Sequence, residues 1–362
     1  MTDQPVNEEL SMLYVGTYTG GDSKGIYRYF FDDATGLLQR GSLVAKAENP
    51  SFLAIHPSGN WLYAVGELMS FQGQDGGAIS AFSIAPDTGE LLLLNQQPSQ
   101  GGAPCHVSID ATGSWVLIAN YAGGNVAAYP IAEGGLLGPA ASVVQHEGSG
   151  VNEKRQKGPH AHSITLDPAN QRAIAADLGI DKLISYQLDL ETGDLKPAAE
   201  YTSVNPGAGP RHFAFHPNGQ HAFVINELDS TISALRYAQD TGVFEELATV
   251  STVPSDFIDT NSCADIHVSP DGRFVYGSNR GHDSIVIMSF DESAEQLVVV
   301  GHESTRGDTP RNFTLDPAGN YLLVANQQSD SIFVFSIDKD TGLLKSTGQR
   351  IEVPSPVCLK FA

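Results

Sequence analysis

Positive charge is scarce in this sequence of 362 residues, which has 20 lysines and arginines against 42 aspartates and glutamates. The resulting formal net charge of −22 repels nucleic acids and anionic lipid surfaces, so neither is an expected partner. The same field opposes an anionic small molecule. A site for such a ligand therefore needs arginines or lysines that are gathered locally.

Cysteine and long apolar runs are also rare. The three cysteines at positions 105, 263 and 358 are too few and too far apart for a disulfide framework, and a reducing cytoplasm fits them. No apolar run approaches the ~20 residues that span a bilayer. Residues 1–10 lack the basic and apolar regions of a signal peptide. We therefore expect a cytoplasmic protein that does not enter a membrane.

A sustained apolar stripe of helical period is absent, and a strand–turn–strand phrase recurs instead. Each copy has an apolar strand, a polar turn with Gly or Asn, and a second apolar strand. The turn residues lie about 52 residues apart, which predicts about seven units in the chain. They are Gly59, Gly113, Asn170, Gly219, Gly272 and Gly319.

A second phrase, an acidic residue followed by Thr-Gly, closes most units and is typical of a tight hairpin turn. Each unit then has four short strands, and such units at this period predict an all-β fold, a seven-bladed β-propeller of four-stranded antiparallel blades. We expect residues 1–362 to form one domain, with residues 1–11 as a flexible N-terminal extension. The strand that starts at Leu13 and the strand that starts at Pro356 are expected to complete one blade together. Such a closed ring is expected to be a monomer or a weak homo-oligomer.

Aligned units place polar and charged residues at the same end of blade after blade. One column precedes the first strand of each blade, and a second column follows the second strand. The first column contains Cys105, His106, His162, Arg211, His212, Asp265, Arg311 and Asn312. The second contains Glu67, Tyr121, Glu227, Arg280 and Gln327, each preceded by another polar or acidic residue in most blades. Because both columns meet at one mouth of the central channel, they predict an anion site there.

Structural roles compete with this interpretation. The Asn and Asp residues that precede the second column are more typical of loop capping, since Asn accepts the left-handed conformation. Arg280 can also pair with Glu227 as a purely structural ion pair. His160 and His162 have the spacing of a zinc pair, but further ligands are not evident, so no metal or cofactor is expected.

Several segments resemble the seven-bladed β-propeller lactonase family, which includes propeller-type 6-phosphogluconolactonases and fungal carboxy-cis,cis-muconate lactonizing enzymes. The more specific ones are Gly-Pro-Arg-His at 209–212 and Asn-Arg-Gly-His at 279–282, with Pro-His-Ala-His at 159–162. Similar phrases begin at Leu13, Asn49 and Pro310, so the resemblance covers essentially the whole chain.

The resemblance implies catalytic roles for His162 (or His160), Arg211, Glu227 and Arg280. It also implies hydrolysis of a small anionic sugar lactone, most simply 6-phospho-D-glucono-1,5-lactone of the oxidative pentose phosphate pathway. The expected substrate contacts are His106, His160, His212, Arg311, Asn312 and Glu67.

Glu227 or His162 is the expected general base, with burial raising the carboxylate pKa toward neutrality. Three alternatives stay open: lactonizing or lactonase activity on a muconate-type dicarboxylate, a binding propeller without catalysis, and a calcium-dependent lactonase that uses Glu67.

Overall fold

The chain folds into a ring of seven antiparallel sheets, which confirms the predicted propeller. The computed structural model describes residues 10–362, apart from the side chain of Arg40. The blades contain, in order, β1 (Leu10–Thr17), β2 (Gly25–Asp32) and β3 (Leu37–Lys46); β4 (Leu53–Ile55), β5 (Trp61–Gly66), β6 (Ser70–Phe71), β7 (Gln74–Asp75), β8 (Ala78–Ile84) and β9 (Leu91–Pro98); β10 (Pro104–Ile109), β11 (Trp115–Asn120), β12 (Asn125–Pro130) and β13 (Ser142–Gln145); β14 (Ala161–Leu166), β15 (Arg172–Asp177), β16 (Lys182–Leu188), β17 (Leu195–Pro197) and β18 (Thr202–Ser203). The remaining blades contain β19 (Pro210–Phe215), β20 (His221–Asn226), β21 (Thr231–Ala238) and β22 (Val243–Ser251); β23 (Ser262–Val268), β24 (Phe274–Arg280), β25 (Ser284–Asp291) and β26 (Gln296–Ser304); and β27 (Pro310–Leu315), β28 (Tyr321–Asn326), β29 (Ser331–Ile337) and β30 (Leu344–Glu352).

The last strand, β31 (Pro356–Phe361), closes the ring. It pairs with β1 and gives the first blade the order β3-β2-β1-β31. Both chain ends therefore complete one blade, as the sequence predicts. Residues 1–9 of the predicted flexible extension lie outside the described residues. Its last two residues, Leu10 and Ser11, belong to β1 and pair with Asp32 and Phe31.

Local chemistry explains the hairpin phrase. In the first blade the Asp32 carboxylate accepts hydrogen bonds from the backbone N–H groups of Ala34 and Thr35, and Gly36 then takes a φ of 73°. The sixth blade lacks glycine at this position, and Glu295 takes the left-handed conformation instead, with a φ of 52°. The acidic residue thus caps the turn, and the residue four positions later reverses the chain.

The hydrophobic core lies between neighbouring blades. Between the fifth and sixth blades, for example, Phe223 and Ile225 pack with Val275 and Phe290. Alternate residues of the inner strands face opposite neighbours, so each blade is buried on both sides. The only helical turn in residues 10–362 is a 3₁₀ turn at Glu133–Gly135. No helix in that part of the chain has the length and apolar character needed to cross a bilayer.

Candidate active site at one mouth of the channel

A β-bulge recurs where the first strand of a blade leaves the channel mouth. The register shifts between Pro104 and His106, between Ala161 and Ser163, between Pro210 and His212, and between Pro310 and Asn312. The bulged residues are Cys105, His162, Arg211 and Arg311. Because a bulge re-aims the side chain of its extra residue, it explains why the first column of polar residues faces inward.

The mouth pocket is a concave site of about 320 Å³. Three of its lining residues are bulged, and four end or directly follow second strands. The other two are Arg155, from a connecting loop, and Ser262, the first residue of β23. Its lining residues are Glu67, Cys105, Tyr121, Arg155, His162, Glu227, Ser262, Arg280 and Arg311. The structure therefore brings members of both sequence columns to one pocket.

Glu227 is the centre of an ion-pair cluster. Its Oε2 accepts a hydrogen bond from Arg211 Nε at 3.0 Å and lies 2.9 Å from a guanidinium nitrogen of Arg280. Its Oε1 accepts a hydrogen bond from Arg155 at 2.7 Å. Arg155 also donates to the hydroxyl of Tyr121 at 3.1 Å. Both carboxylate oxygens are thus occupied by arginines.

The expectation that burial brings the Glu227 pKa near neutrality is wrong. Burial does raise the pKa, but Arg280, Arg211 and Arg155 together outweigh it and hold the pKa at about 2. Glu227 is therefore ionised at neutral pH and is a poor proton acceptor. The ion pair between Arg280 and Glu227 that the structural interpretation predicted is present. Arg211 and Arg155 bind the same carboxylate.

Arg211 lies beneath the pocket and only 2% of it is exposed. Besides Glu227, its guanidinium donates to the carbonyl of Ala264 at 2.5 Å and contacts His212 Nε2 at 3.2 Å. These contacts leave it little freedom to reach a ligand. It holds Glu227 in place from below.

Arg311 is different, because within residues 10–362 no hydrogen bond or ion pair engages its guanidinium. The group lies 5.3 Å from the ring centroid of Tyr18 and lines the mouth pocket. Four arginines meet two glutamates at this mouth, so the local charge is +2 in a chain of net charge −22. This is the local excess that an anion site in an acidic protein requires.

Three histidines pack edge to face beneath the mouth. The ring of His212 lies 5.4 Å from that of His162 and 5.6 Å from that of His106. Burial, together with neighbouring positive groups, lowers the pKa of His212 to about 4 and those of His106 and His162 well below 6.5. All three imidazoles are neutral at pH 7, and only His162 lines the mouth pocket.

The placement of three expected substrate contacts differs from the prediction. His106, His212 and Asn312 line a second cavity of about 420 Å³ along the first strands, and none of them lines the mouth pocket. His212 also borders a small cavity beside Glu67. Each of these three residues directly follows the bulged residue of its strand. Regular pairing has resumed there, so the side chain lies one residue further from the mouth. Asp265 accepts hydrogen bonds from His212, at 2.7 Å, and from Asn312. These two hydrogen bonds stabilise the channel wall.

His160 stands at the edge of the site. Its ring stacks on Tyr121 with a centroid separation of 4.5 Å, and its Nδ1 lies 2.9 Å from the Tyr121 carbonyl oxygen. It does not line the pocket, whereas His162 does. The strand spacing that suggested a shared face is broken by the bulge between Ala161 and Ser163.

The Asn column caps loops, as its structural interpretation states. Asn120 donates to the carbonyl of Ser99, Asn279 to that of Thr252, and Asn326 to that of Thr305. Across residues 10–362, no group of three or more His, Cys, Asp and Glu side chains has the geometry to hold a metal ion.

Arg155 is the functional candidate that sequence reasoning missed. It lies in the long connection before the fourth blade, outside both columns, and folds back over the mouth to reach Glu227. A signal was present, because Lys154, Arg155 and Lys157 form a basic cluster close to His160 in a chain poor in basic residues.

The sequence profile of the family described as "Lactonase, 7-bladed beta-propeller" matches residues 12–361. The chain belongs to this family. This confirms the resemblance inferred from the sequence. Among curated relatives, a 6-phosphogluconolactonase of Bacillus subtilis is 40% identical over 348 residues, covering 96% of this chain and 97% of the relative.

Two solved structures are similar over nearly the whole ring. A protein from Bacteroides fragilis superposes with a TM-score of 0.91 at 36% identity, covering 99% of this chain and all of the other. A periplasmic gluconolactonase of Pseudomonas aeruginosa has a TM-score of 0.91 at 33% identity, with coverage of 97% and 99%. This propeller therefore resembles proteins named for lactone hydrolysis in both sequence and structure.

Proposed function

We propose that this lactonase-family propeller hydrolyses 6-phospho-D-glucono-1,5-lactone to 6-phosphogluconate in the mouth pocket. The observation that carries the proposal is the positive mouth of an acidic protein, with the unengaged guanidinium of Arg311 at its wall. The name of the Bacillus subtilis relative supports this substrate. In this scheme Arg311 binds the phosphate, because a guanidinium fork matches two phosphate oxygens.

Ester hydrolysis develops negative charge on the carbonyl oxygen, and the arginines around Glu227 can stabilise it. Arg280 and Arg155 line the pocket and carry positive charge. Glu227 orients both of them and is not itself the proton acceptor, given its low pKa. The Cys105 thiol is an unsuitable nucleophile because burial raises its pKa well above the usual range. Direct attack by water therefore fits the site better than a covalent intermediate.

A substrate panel with two arginine variants tests this proposal. The purified chain should accelerate decay of freshly made 6-phosphogluconolactone above the spontaneous rate. Arg280→Ala should lower kcat by about 10²–10³-fold, the usual cost of losing one oxyanion donor. Arg311→Ala should raise KM for the phospholactone about tenfold or more and change kcat/KM for unphosphorylated gluconolactone much less.

Arg350→Ala serves as the control, since it removes the same charge from an exposed strand position with a side chain 51% exposed. If the wild-type chain leaves phospholactone decay at its spontaneous rate, the substrate assignment is wrong. If Arg311→Ala affects both lactones equally, the phosphate role of Arg311 is wrong.

A second substrate has an observation in its favour. The Pseudomonas aeruginosa structural relative is named a gluconolactonase, without a phosphate in its name. A higher kcat/KM for gluconolactone than for the phospholactone would favour it. The same arginines could bind a carboxylate, so a muconolactone-type dicarboxylate belongs in the panel.

We further propose that the protein acts as a monomer in the cytoplasm, within the pentose phosphate pathway. The acidic surface and closed ring support this, whereas the named periplasmic relative points to another compartment. Cell fractionation and light scattering after size exclusion would test both points. Recovery in the periplasmic fraction would overturn the location.

A further inference from the structure

The mouth offers two carboxylates, and their surroundings differ. Glu227 has an arginine on each oxygen. Glu67 lines the same pocket and is half-buried, and no ion pair within residues 10–362 reaches its carboxylate. Its Oε2 accepts one hydrogen bond, from the hydroxyl of Tyr18 at 2.8 Å. Oε1 has no such donor among the described residues, so it is available to a ligand or a water.

The environment of Tyr18 keeps its hydroxyl available as a hydrogen-bond donor to Glu67. Burial raises the pKa of its phenol well above the usual value, so the hydroxyl stays protonated. The nearby Arg311 guanidinium lies over the Tyr18 ring. The titratable and charged groups next to Glu67 are therefore Tyr18, Cys105, Arg211, His212 and Arg311. Across the mouth pocket it also faces Arg155, His162, Glu227 and Arg280. This setting keeps one oxygen of Glu67 oriented and the other free.

A small cavity of about 10 Å³ lies directly against Glu67. It is also bordered by Ser51, Arg211 and Arg311, among other residues. The Ser51 hydroxyl is buried and has no hydrogen-bond partner among the described residues, and the residue is only 5% exposed. A space of this volume with several polar partners is about the size of one water site. Glu67, Cys105 and Arg311 line both this cavity and the mouth pocket, so the two spaces adjoin at Glu67.

We propose that Glu67 is the general base of lactone hydrolysis and that this cavity holds the attacking water between Glu67 and Ser51. The inference rests on the proposed lactonase function. Water attacks the carbonyl carbon while one of its protons passes to Glu67, and the carbonyl oxygen becomes an oxyanion. When the intermediate collapses, the bond from carbon to the ring oxygen breaks. Glu67 then returns its proton to that oxygen, releasing the open-chain hydroxy acid, whose new carboxyl group loses its proton to solvent.

Two substitutions test the role of Glu67 through pH–rate profiles on the lactone that the wild-type chain hydrolyses best. Glu67→Gln keeps an acceptor for Tyr18 but cannot take a proton. It should lower kcat by about 10²–10⁴-fold, leave KM nearly unchanged and abolish the acidic limb of the profile. Tyr18→Phe should retain much of kcat and move that limb upward by about half a unit to one unit, since the charged carboxylate loses a hydrogen bond.

Glu48→Gln, an exposed carboxylate in the preceding loop, is the matched control and should behave as wild type. A folded Glu67→Gln variant with wild-type kcat and an intact acidic limb would overturn the inference while leaving the lactonase proposal standing. An unmoved limb in Tyr18→Phe would also count against it. A wild-type chain that hydrolyses no lactone in the panel would instead remove the function on which the inference depends.

Discussion

Burial acts in opposite directions on the two kinds of ionisable residue beneath the mouth. It penalises whichever form is charged, so it raises the pKa of Glu227 and lowers those of the histidines. The arginines oppose the effect of burial on the pKa of the carboxylate, and they reinforce its effect on the pKa of the imidazoles. The outcome is a charged Glu227 above three neutral rings, so the positive charge of the mouth comes from its arginines alone.

These shifts predict acid sensitivity in two steps. The unfolded chain protonates His212 near pH 6.5 and the folded chain only near pH 4, so unfolding takes up a proton between these values. His106 and His162 shift in the same direction. Acidification through this window should therefore lower the free energy of unfolding, by up to ~1.4 kcal/mol per pH unit for each histidine. Below the ordinary Glu227 value of 4.5, protonation of that residue in the unfolded chain adds a further loss, down to about pH 2.

Urea unfolding at about pH 7, 5.5 and 4.5 measures the first step. His212→Asn should show a shallower dependence on pH than wild type over this range, whatever its stability at pH 7. Equal slopes for the two proteins would contradict the neutral state of His212.

At the scale of the elements, the repeated turn glycine also connects blades. His216 Nε2 lies 3.0 Å from the carbonyl oxygen of Gly272 in the next blade, and His56 Nε2 lies 3.0 Å from that of Gly113. An added Cβ on Gly272 would stand 2.3 Å from His216 Nε2. At the equivalent Gly59 nothing lies within 4 Å of an added Cβ. Equivalent turns thus differ in whether a neighbouring blade packs on them.

This difference gives a matched pair of substitutions. Gly272 and Gly59 have φ of 79° and 73°, so alanine at either position should cost about 1–2 kcal/mol for the left-handed backbone. Gly272→Ala should cost about 1–3 kcal/mol more, because His216 must move and its contact is lost. Chemical denaturation of both variants measures the difference. Equal losses of stability would show that the blade contact contributes little.

On the scale of the whole molecule, the ring depends on its last strand. β31 covers the edge of β1 and contributes the buried residues Val357, Cys358 and Leu359. The backbone N–H of Leu359 also donates to Asn312 Oδ1 at 2.7 Å, which connects the closing strand to the seventh blade. Without this strand, β1 would present an unpaired edge to solvent.

A chain that ends at Ser355 should therefore aggregate or lose cooperative unfolding. Adding a synthetic peptide of residues 354–362 should restore a soluble ring, because the peptide can pair with β1. Size-exclusion chromatography and thermal melts distinguish the outcomes. A truncated chain that stays monodisperse with an unchanged Tm would show that closure of the ring is dispensable.

The positions in the two columns were predictable because the repeat maps each residue to a place in a blade. Glu67, His162, Glu227, Arg280 and Arg311 reach one pocket for that reason. The bulges were not predictable, since they depend on pairing with the second strand, and they decide that His162 faces the pocket while His106 and His212 line the second cavity.

The sequence by itself determined the seven-bladed ring, its closure by both chain ends and the mouth at which charge gathers, because strand period and turn chemistry are local properties. The tertiary structure alone decided the protonation state of Glu227, the arrival of Arg155 from a distant loop and the unpaired oxygen of Glu67. These depend on distances between residues that lie up to 72 positions apart in the chain, as Arg155 and Glu227 do. Electrostatic energy follows such distances and local burial, and neither can be read from the order of residues.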